Sequence, residues 1–229
     1  MTRRLVSLVA RAAVLFVVGC CPAAAQTSNV HMPRFEISAG ATWTGSSSFA
    51  PLAANEVTSD GTSLPLFSTQ TTIDAVPGLQ GRLGVRLSGR LHAEVAASYS
   101  KPSLTTVVSG DVENAAGGSA SETLTQVVLE GNLLVDLARE DWANGRVTPF
   151  VSGGMGYLRQ LHEGQAVVET GRTVQAGGGV KIALSTHADS SRRVGVRADV
   201  RMIARSGGVS PDGGTHVAPS FGASLFVAF

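Results

Sequence analysis

Residues 220–229 read SFGASLFVAF, with Phe221, Ala223, Leu225, Val227 and Phe229 at alternate positions. A period of two puts one set of side chains on one face of a strand and the intervening set on the other. The segment reads as a strand with one strongly apolar face, where chain ends are ordinarily polar and frayed. The same period recurs upstream. Phe35, Ile37, Ala39, Ala41 and Trp43 alternate with Glu36, Ser38, Gly40 and Thr42. Leu79, Leu83, Val85 and Leu87 form a second run, and after Gly89-Arg90 Leu91, Ala93, Val95, Ala97 and Tyr99 form a third. Further runs cover Gln126–Leu137, Arg146–Leu158, Arg172–Ser185 and Val194–Arg205. The run through Pro149, Gly153, Gly154 and Gly156 is the least regular, and Val128 and Leu134 interrupt the polar face of another. No helical stripe appears after residue 34.

These runs predict eight strands, each near the length of about nine to eleven residues that a tilted membrane-crossing strand needs. Their connections alternate in length. Ser88–Arg90, 139–145 and 186–193 are short, whereas about 46–77, 101–122, 158–171 and 206–215 are long. Short turns on one rim and long loops on the other are the signature of an up-and-down barrel. The expected fold is all-β, an eight-stranded antiparallel up-and-down transmembrane β-barrel occupying residues 26–229.

Residues 1–25 have the layout of a secretory signal peptide. Arg3 and Arg4 precede an apolar run, and Ala23-Ala24-Ala25 supplies small residues for cleavage before Gln26. A competing reading is lipidation at Cys20, since Val17-Val18-Gly19-Cys20 approximates a bacterial lipobox. Cys20 and Cys21 are the only cysteines. Cleavage after Ala25 leaves none, which excludes a disulfide framework, a thiol nucleophile and a zinc–thiolate site. The formal charge of +1 loses Arg3, Arg4 and Arg11 with the leader, so the mature chain carries +1 − 3 = −2. Nothing in that balance points to nucleic acid.

Alternation alone does not say which face meets lipid, but three features point outward for the apolar one. Its residues include many Ala and Gly, which fill a closed core poorly but leave no voids against lipid chains. The opposite face carries cations Arg82, Arg86, Lys181, Arg197, Arg201 and Arg205 and anions Glu36, Glu94, Glu130, Asp136 and Asp199, a near-neutral set that can pair inside a small lumen. Aromatics gather at two levels: Trp43, Tyr99 and Tyr157 near the long-loop ends, Phe35, Trp142 and Phe229 near the other. Phe35 and Trp43 are eight positions apart on one face, which at strand rise and tilt separates them by roughly 20 Å along the membrane normal.

With the leader, the stretch TPFVSGGMGY at 148–157 and FGASLFVAF at 221–229, the chain resembles the small outer-membrane β-barrel domain family that includes the outer-membrane protein A, X and opacity-protein types. In that family the fifth strand often reads Pro-Tyr-Val before small residues; Phe150 takes the Tyr position here. The resemblance implies a Gram-negative cell outer membrane, lipid and lipopolysaccharide as surroundings, and surface-exposed loops. It also implies an assembly signal at Phe221, Leu225, Val227 and Phe229, which looks like the one read by the barrel-assembly machinery.

Residues that suggest chemistry are sparse. His187, Asp189, Ser190 and Ser191 are hydrolase residue types, but a triad is assembled from separate elements and these share one short turn. His162-Glu163 on a long loop offers an acid/base pair or a surface metal contact against a plain solvated loop. Asp111, Glu113 and Glu122 raise the same alternatives. Gly177-Gly178-Gly179 lacks the Lys and Ser/Thr of a phosphate loop and instead allows close packing within a strand. His92 falls on the charged face, which suits a hydrogen-bonded structural role. No cofactor or metal is expected. The leading expectation is a non-enzymatic barrel with a filled lumen, serving structural integrity, adhesion or contact with a surface ligand or host cell through its long loops. The region from Leu104 to Val112 and from Thr123 to Val127 could extend strands above the membrane. A narrow passive pore for small solutes is the alternative, and a lipid A-modifying enzyme a third, for which the His-x-Ser-Asn pattern of the deacylases is absent.

Overall fold

The structure, a computed structural model, describes residues 33–57, 59–109, 117–137, 146–162, 167–186 and 192–229. They belong to one compact unit, Met32–Phe229. Its strands are, in chain order, β1 (Phe35–Thr44), β2 (Ser47–Ser48), β3 (Leu52–Val57), β4 (Ser63–Ile73), β5 (Val76–Arg86), β6 (Leu91–Ser100) and β7 (Ser103–Ser109). There follow β8 (Ser119–Thr123), β9 (Thr125–Asp136), β10 (Val147–Leu161), β11 (Val168–Thr186), β12 (Arg193–Gly207) and β13 (Thr215–Ala228). The leader 1–25, with its alternative at Cys20, lies outside the described residues.

Eight of these strands close into a barrel in the order β1-β13-β12-β11-β10-β9-β6-β5, each antiparallel to both neighbours. They coincide with the eight alternating runs of the sequence. Closure occurs between β1 and β13, from Glu36 opposite Ala228 to Thr44 opposite Ser220. The Phe35 N–H donates to the Phe229 carbonyl at 2.8 Å, the Phe229 N–H returns to the Phe35 carbonyl at 2.9 Å, and their rings stand 6.1 Å apart. At the other end of the seam Trp43 lies against Phe221, with centroids 5.5 Å apart.

The two faces of this barrel are inverted relative to a water-soluble one. Met155 is 72% and Leu225 64% exposed on the outside, whereas Arg82 and Asp199 are each 4% exposed within. Phe35, Trp43, Tyr99, Tyr157, Phe221, Val227 and Phe229 also face outward; Trp142 lies outside the described residues. β9 shows the alternation most clearly, exposing Val127, Leu129, Leu133 and Val135 while burying Gln126, Glu130, Asn132 and Asp136. Val128 and Leu134, the two apolar breaks in that pattern, point inward and are buried.

The segments expected as long loops are shorter than the sequence suggests. Most of the described residues of 46–77 and 101–122 are strand: β2, β3, β4, β7 and β8 build a second sheet in the order β2-β4-β7-β8, with β3 also on β4. β4 and β7 continue the β5–β6 hairpin past the rim. Asp74-Ala75 and Lys101-Pro102 interrupt it, and the Asp74 N–H still bridges to the Ser103 carbonyl at 2.9 Å. Likewise β10 and β11 run on to Leu161 and Val168, and β12 and β13 to Gly207 and Thr215, so strand takes up much of the described part of 158–171 and both ends of 206–215. The Gly207-Gly208 tip has φ of 76° and 73°, a conformation residues with a Cβ rarely adopt. Ser- and Thr-rich strands with both faces wet carry no apolar alternation, so their β-branched residues were the only signal of them.

Candidate functional site

The lumen holds the densest cluster of charged groups among the described residues, and strand parity places them there. β5 contributes Arg82, β6 His92 and Glu94, β9 Glu130 and Asp136, β11 Lys181, and β12 Arg197, Asp199 and Arg201, all buried. Glu36 enters from β1. Asp199 is the hub. It accepts from Arg82 Nη1 at 2.8 Å and Nη2 at 3.1 Å, and lies 3.2 Å from Arg201 Nε and 3.5 Å from Arg197 Nε. Arg197 also donates to Glu94, and Arg201 to Glu130 at 3.2 Å. Lys181 donates to Glu36 at 2.6 Å, and His92 Nε2 meets Asp136 at 2.8 Å.

Charges removed from water must be paired and hydrogen-bonded, and neutral groups complete that task here. Gln80 accepts from both Arg82, at 2.6 Å, and Arg201, at 3.3 Å. Gln175 donates to Asn132 at 2.6 Å. Phe150, 2% exposed, presents its ring to the Arg197 guanidinium at 4.6 Å, a cation–π geometry. Gln80, Asn132 and Gln175 share the inward parity of the charges, and Phe150, noted in the sequence for its place in the fifth strand, was not expected to face them.

Glycines make the space. A Cβ on Gly177 would meet the Val200 carbonyl at 2.2 Å and Arg201 Cα at 2.7 Å, and one on Gly179 would meet the Ala198 carbonyl at 2.2 Å and the Phe150 ring at 2.8 Å. The triple glycine is therefore a packing feature beside the hub.

Two expected members lie nearer the rims. Arg86 is half-buried at the turn rim, where it donates to the Gly89 carbonyl at 3.4 Å. Arg205 is buried near the loop rim but forms no ion pair within 4 Å among the described residues. Its parity is as expected; its partner is missing.

The lumen contains two small cavities. One of about 60 Å³ at the turn rim is lined by Glu36, Arg86, His92, Asp136 and Lys181 among others. The second, about 20 Å³, lies toward the loop rim and is lined by Glu130, Thr173, Arg201, Arg205 and Ser220 among others. They share no lining residue. Along β6, Glu94 lies between His92 of the first and Ser98 of the second; along β12, Arg197 and Asp199 lie between Arg193 and Arg201.

Outside the lumen, Ser210, Asp212 and His216 bring hydrolase residue types together, but not as a relay. Ser210 Oγ at 3.4 Å and Asp212 Oδ1 at 2.9 Å reach the same His216 nitrogen, Nε2, whereas a triad uses opposite sides of the imidazole. Asp212 instead accepts from the Ala50 N–H at 3.0 Å and the Gly214 N–H at 2.9 Å. Those backbone donors, Ala50 first, hold its carboxyl well below the usual carboxylate range. His162 lies between Glu122, at 3.0 Å from Nδ1, and Glu169, at 3.5 Å from Nε2. The hydrogen bond to Glu122 raises its pKa above 6.5. Glu163, Asp111, Glu113, His187, Asp189, Ser190 and Ser191 lie outside the described residues. Among the described residues no group of three His, Cys, Asp or Glu is placed to hold a metal ion.

Similar solved structures include Neisserial surface protein A, at 14% identity over 85% of this chain and 95% of that one, with a TM-score of 0.49. The outer membrane protein OprG from Pseudomonas aeruginosa gives 13%, 86%, 95% and 0.49 for the same quantities. The outer membrane protein AlkL, solved in lipid bilayers, gives 14%, 91%, 97% and 0.41. No family model matches the sequence, and no curated protein does. The architecture rests on this chain's own registers and on its inverted faces. It is a transmembrane β-barrel. An apolar exterior over paired strands leaves no backbone group unsatisfied in lipid, and the ion-paired interior lets the charges stay out of it.

Proposed function

We propose that this chain is a non-enzymatic protein of the cell outer membrane, in which the barrel is a closed anchor and the second sheet makes contact with a surface ligand or a cell. The observation that carries the reading is the salt-bridged layer of Arg82, Glu94, Arg197, Asp199 and Arg201 between two cavities with no lining residue in common. A transport role needs a continuous wet path, and this layer interrupts it. Beyond the rim, Leu52, Val57, Leu64, Phe67 and Val107 are exposed on β3, β4 and β7, and among the described residues β8 pairs its backbone with β7 alone. An open edge beside exposed apolar side chains suits recognition of an extended partner segment.

Lipid and lipopolysaccharide are the surroundings that the outward Leu, Val and aromatic residues fit. The outward residues Phe221, Leu225, Val227 and Phe229 of β13 and its end are the proposed contacts for the barrel-assembly machinery.

Planar-bilayer recording of the purified chain tests the anchor. The expected result is no steady conductance; a steady open channel altered by Arg201→Ala or Glu130→Ala refutes it and favours the narrow pore. Replacing residues 47–73 and 103–123 by short turns should leave a barrel whose gel mobility still shifts on boiling, while abolishing attachment to cells. Attachment that survives the replacement locates the contact elsewhere.

A further inference from the structure

We infer that the upper lumen holds a single monovalent anion of chloride size, bound by Arg205 and Thr173. The inference does not depend on the adhesive reading above. Cross-strand registers set Ala96, Glu130, Gly156, Thr173, Arg205 and His216 in one row around the wall. Arg205 is 8% and Thr173 1% exposed. Both line the cavity of about 20 Å³. Arg205 Nε and Thr173 Oγ1 have no hydrogen-bond partner among the described residues. Two buried residues with an unpartnered donor, one of them cationic, therefore line the same small space.

The five lumen carboxylates are already engaged. Glu36 holds Lys181, Glu94 holds Arg197, Asp199 holds Arg82, Glu130 holds Arg201, and Asp136 holds His92. Glu130 faces the cavity too, but its carboxylate is taken by Arg201 at 3.2 Å. That leaves Arg205 to share Glu130 with Arg201, with no ion pair of its own within 4 Å among the described residues, an imbalance that burial disfavours. An anion in the cavity corrects the imbalance, and the hydroxyl of Thr173 supplies a second donor. Space decides its size. A cavity of this measure takes about one water-sized particle, which admits chloride or bromide and excludes sulfate and phosphate. Gly156 keeps the space open, since a Cβ there would meet Thr173 Oγ1 at 2.7 Å and Glu130 Cγ at 2.8 Å.

The test uses the full mature chain refolded in detergent, unfolded thermally at one scan rate in sodium chloride, bromide, sulfate or gluconate of equal ionic strength. Chloride and bromide at ten times the dissociation constant should raise the midpoint by about 3–5 °C over gluconate for a chain of this size, saturably, and sulfate should not. Arg205→Met should remove the halide dependence, and Thr173→Val should weaken it. Equal midpoints in all four salts overturn the proposal, as does an undiminished halide effect in Arg205→Met. Should that variant fail to fold, ³⁵Cl NMR line broadening of the wild-type chain decides. Broadening competed away by bromide but not by sulfate supports the site, and its absence means that water alone fills the cavity.

Discussion

Replacing Asp199 by Asn takes one negative charge from a point where three guanidinium groups converge. Arg82 contacts the carboxylate at 2.8 and 3.1 Å, Arg201 at 3.2 Å and Arg197 at 3.5 Å. The fallback partners are unequal. Arg201 keeps Glu130 at 3.2 Å and Arg197 keeps Glu94, but Arg82 retains only Gln80 and a Glu94 contact at 3.8 Å. Arg82 is thus the charge left exposed to low dielectric, and the asparagine NH₂ would face one of the arginines as donor to donor. Removing one partner of a buried ion pair costs about 3–5 kcal/mol, and that is the expected loss for Asp199→Asn. Urea unfolding in lipid vesicles, followed by tryptophan fluorescence and by the boiled-versus-unboiled gel shift, measures it. A double-mutant cycle with Arg82→Met supplies the sharper check. Removing the stranded cation should recover about 1–2 kcal/mol relative to the sum of the single changes. A loss under about 1 kcal/mol, the range of exposed ion pairs, or strict additivity in the cycle, refutes the reasoning.

Gly179→Ala should lower the urea midpoint by the equivalent of about 1–3 kcal/mol through overpacking, whereas Gly131→Ala, whose Cβ would meet nothing within 4 Å, should leave it unchanged. Ala39→Arg places a charge on the lipid face midway between Phe35 and Trp43 and should cost about 2–4 kcal/mol if that face is at the bilayer midplane; a neutral effect in vesicles contradicts the lipid-facing assignment. The Glu122–His162–Glu169 contact, with a histidine pKa raised above 6.5, contributes stability that is fully present below pH 6.5 and is lost as pH rises through the folded value. Proteolysis of the β10–β11 tip should therefore accelerate with alkalinity in the wild type and show no such pH dependence in His162→Gln. Asp212 has the opposite sign. Its carboxyl is depressed below the usual 3.8, so its hydrogen bonds from the Ala50 and Gly214 amides are at full strength above that pH and weaken as pH falls through the folded value, which faster hydrogen exchange at the Ala50 amide should report.

The barrel was legible because lipid and lumen impose opposite demands on successive residues, and an alternation repeated eight times has few other physical causes. The inward set was legible for the same reason: parity alone assigns Arg82, Glu94 and Asp199 to one face. Their pairing was not. Lys181 meets Glu36 across 145 positions of sequence, and Arg82 meets Asp199 across 117. Such contacts depend on the width of the barrel and on the stagger of its strands. The second sheet was legible only in part: the extension expected from Leu104 to Val112 meets β7 (Ser103–Ser109), but a strand such as SASET at 119–123 shows no apolar contrast. The Arg205 side chain lies on the expected face but has no ion pair within 4 Å among the described residues, since parity reports a face and not a neighbour.

The seam between β1 and β13 is stitched at both ends. At the turn rim the Phe35 and Phe229 backbones exchange hydrogen bonds. At the loop rim Gly45 N–H donates to the Pro219 carbonyl at 2.8 Å, Phe49 sits edge-on to His216 at 4.5 Å, and Ala50 N–H is held by Asp212. The ladder between first and last strand runs only from Glu36 opposite Ala228 to Thr44 opposite Ser220, shorter than that between β11 and β12, and these contacts extend the join at both rims. On so short a ladder the contacts at the two rims carry a correspondingly large share of the closure.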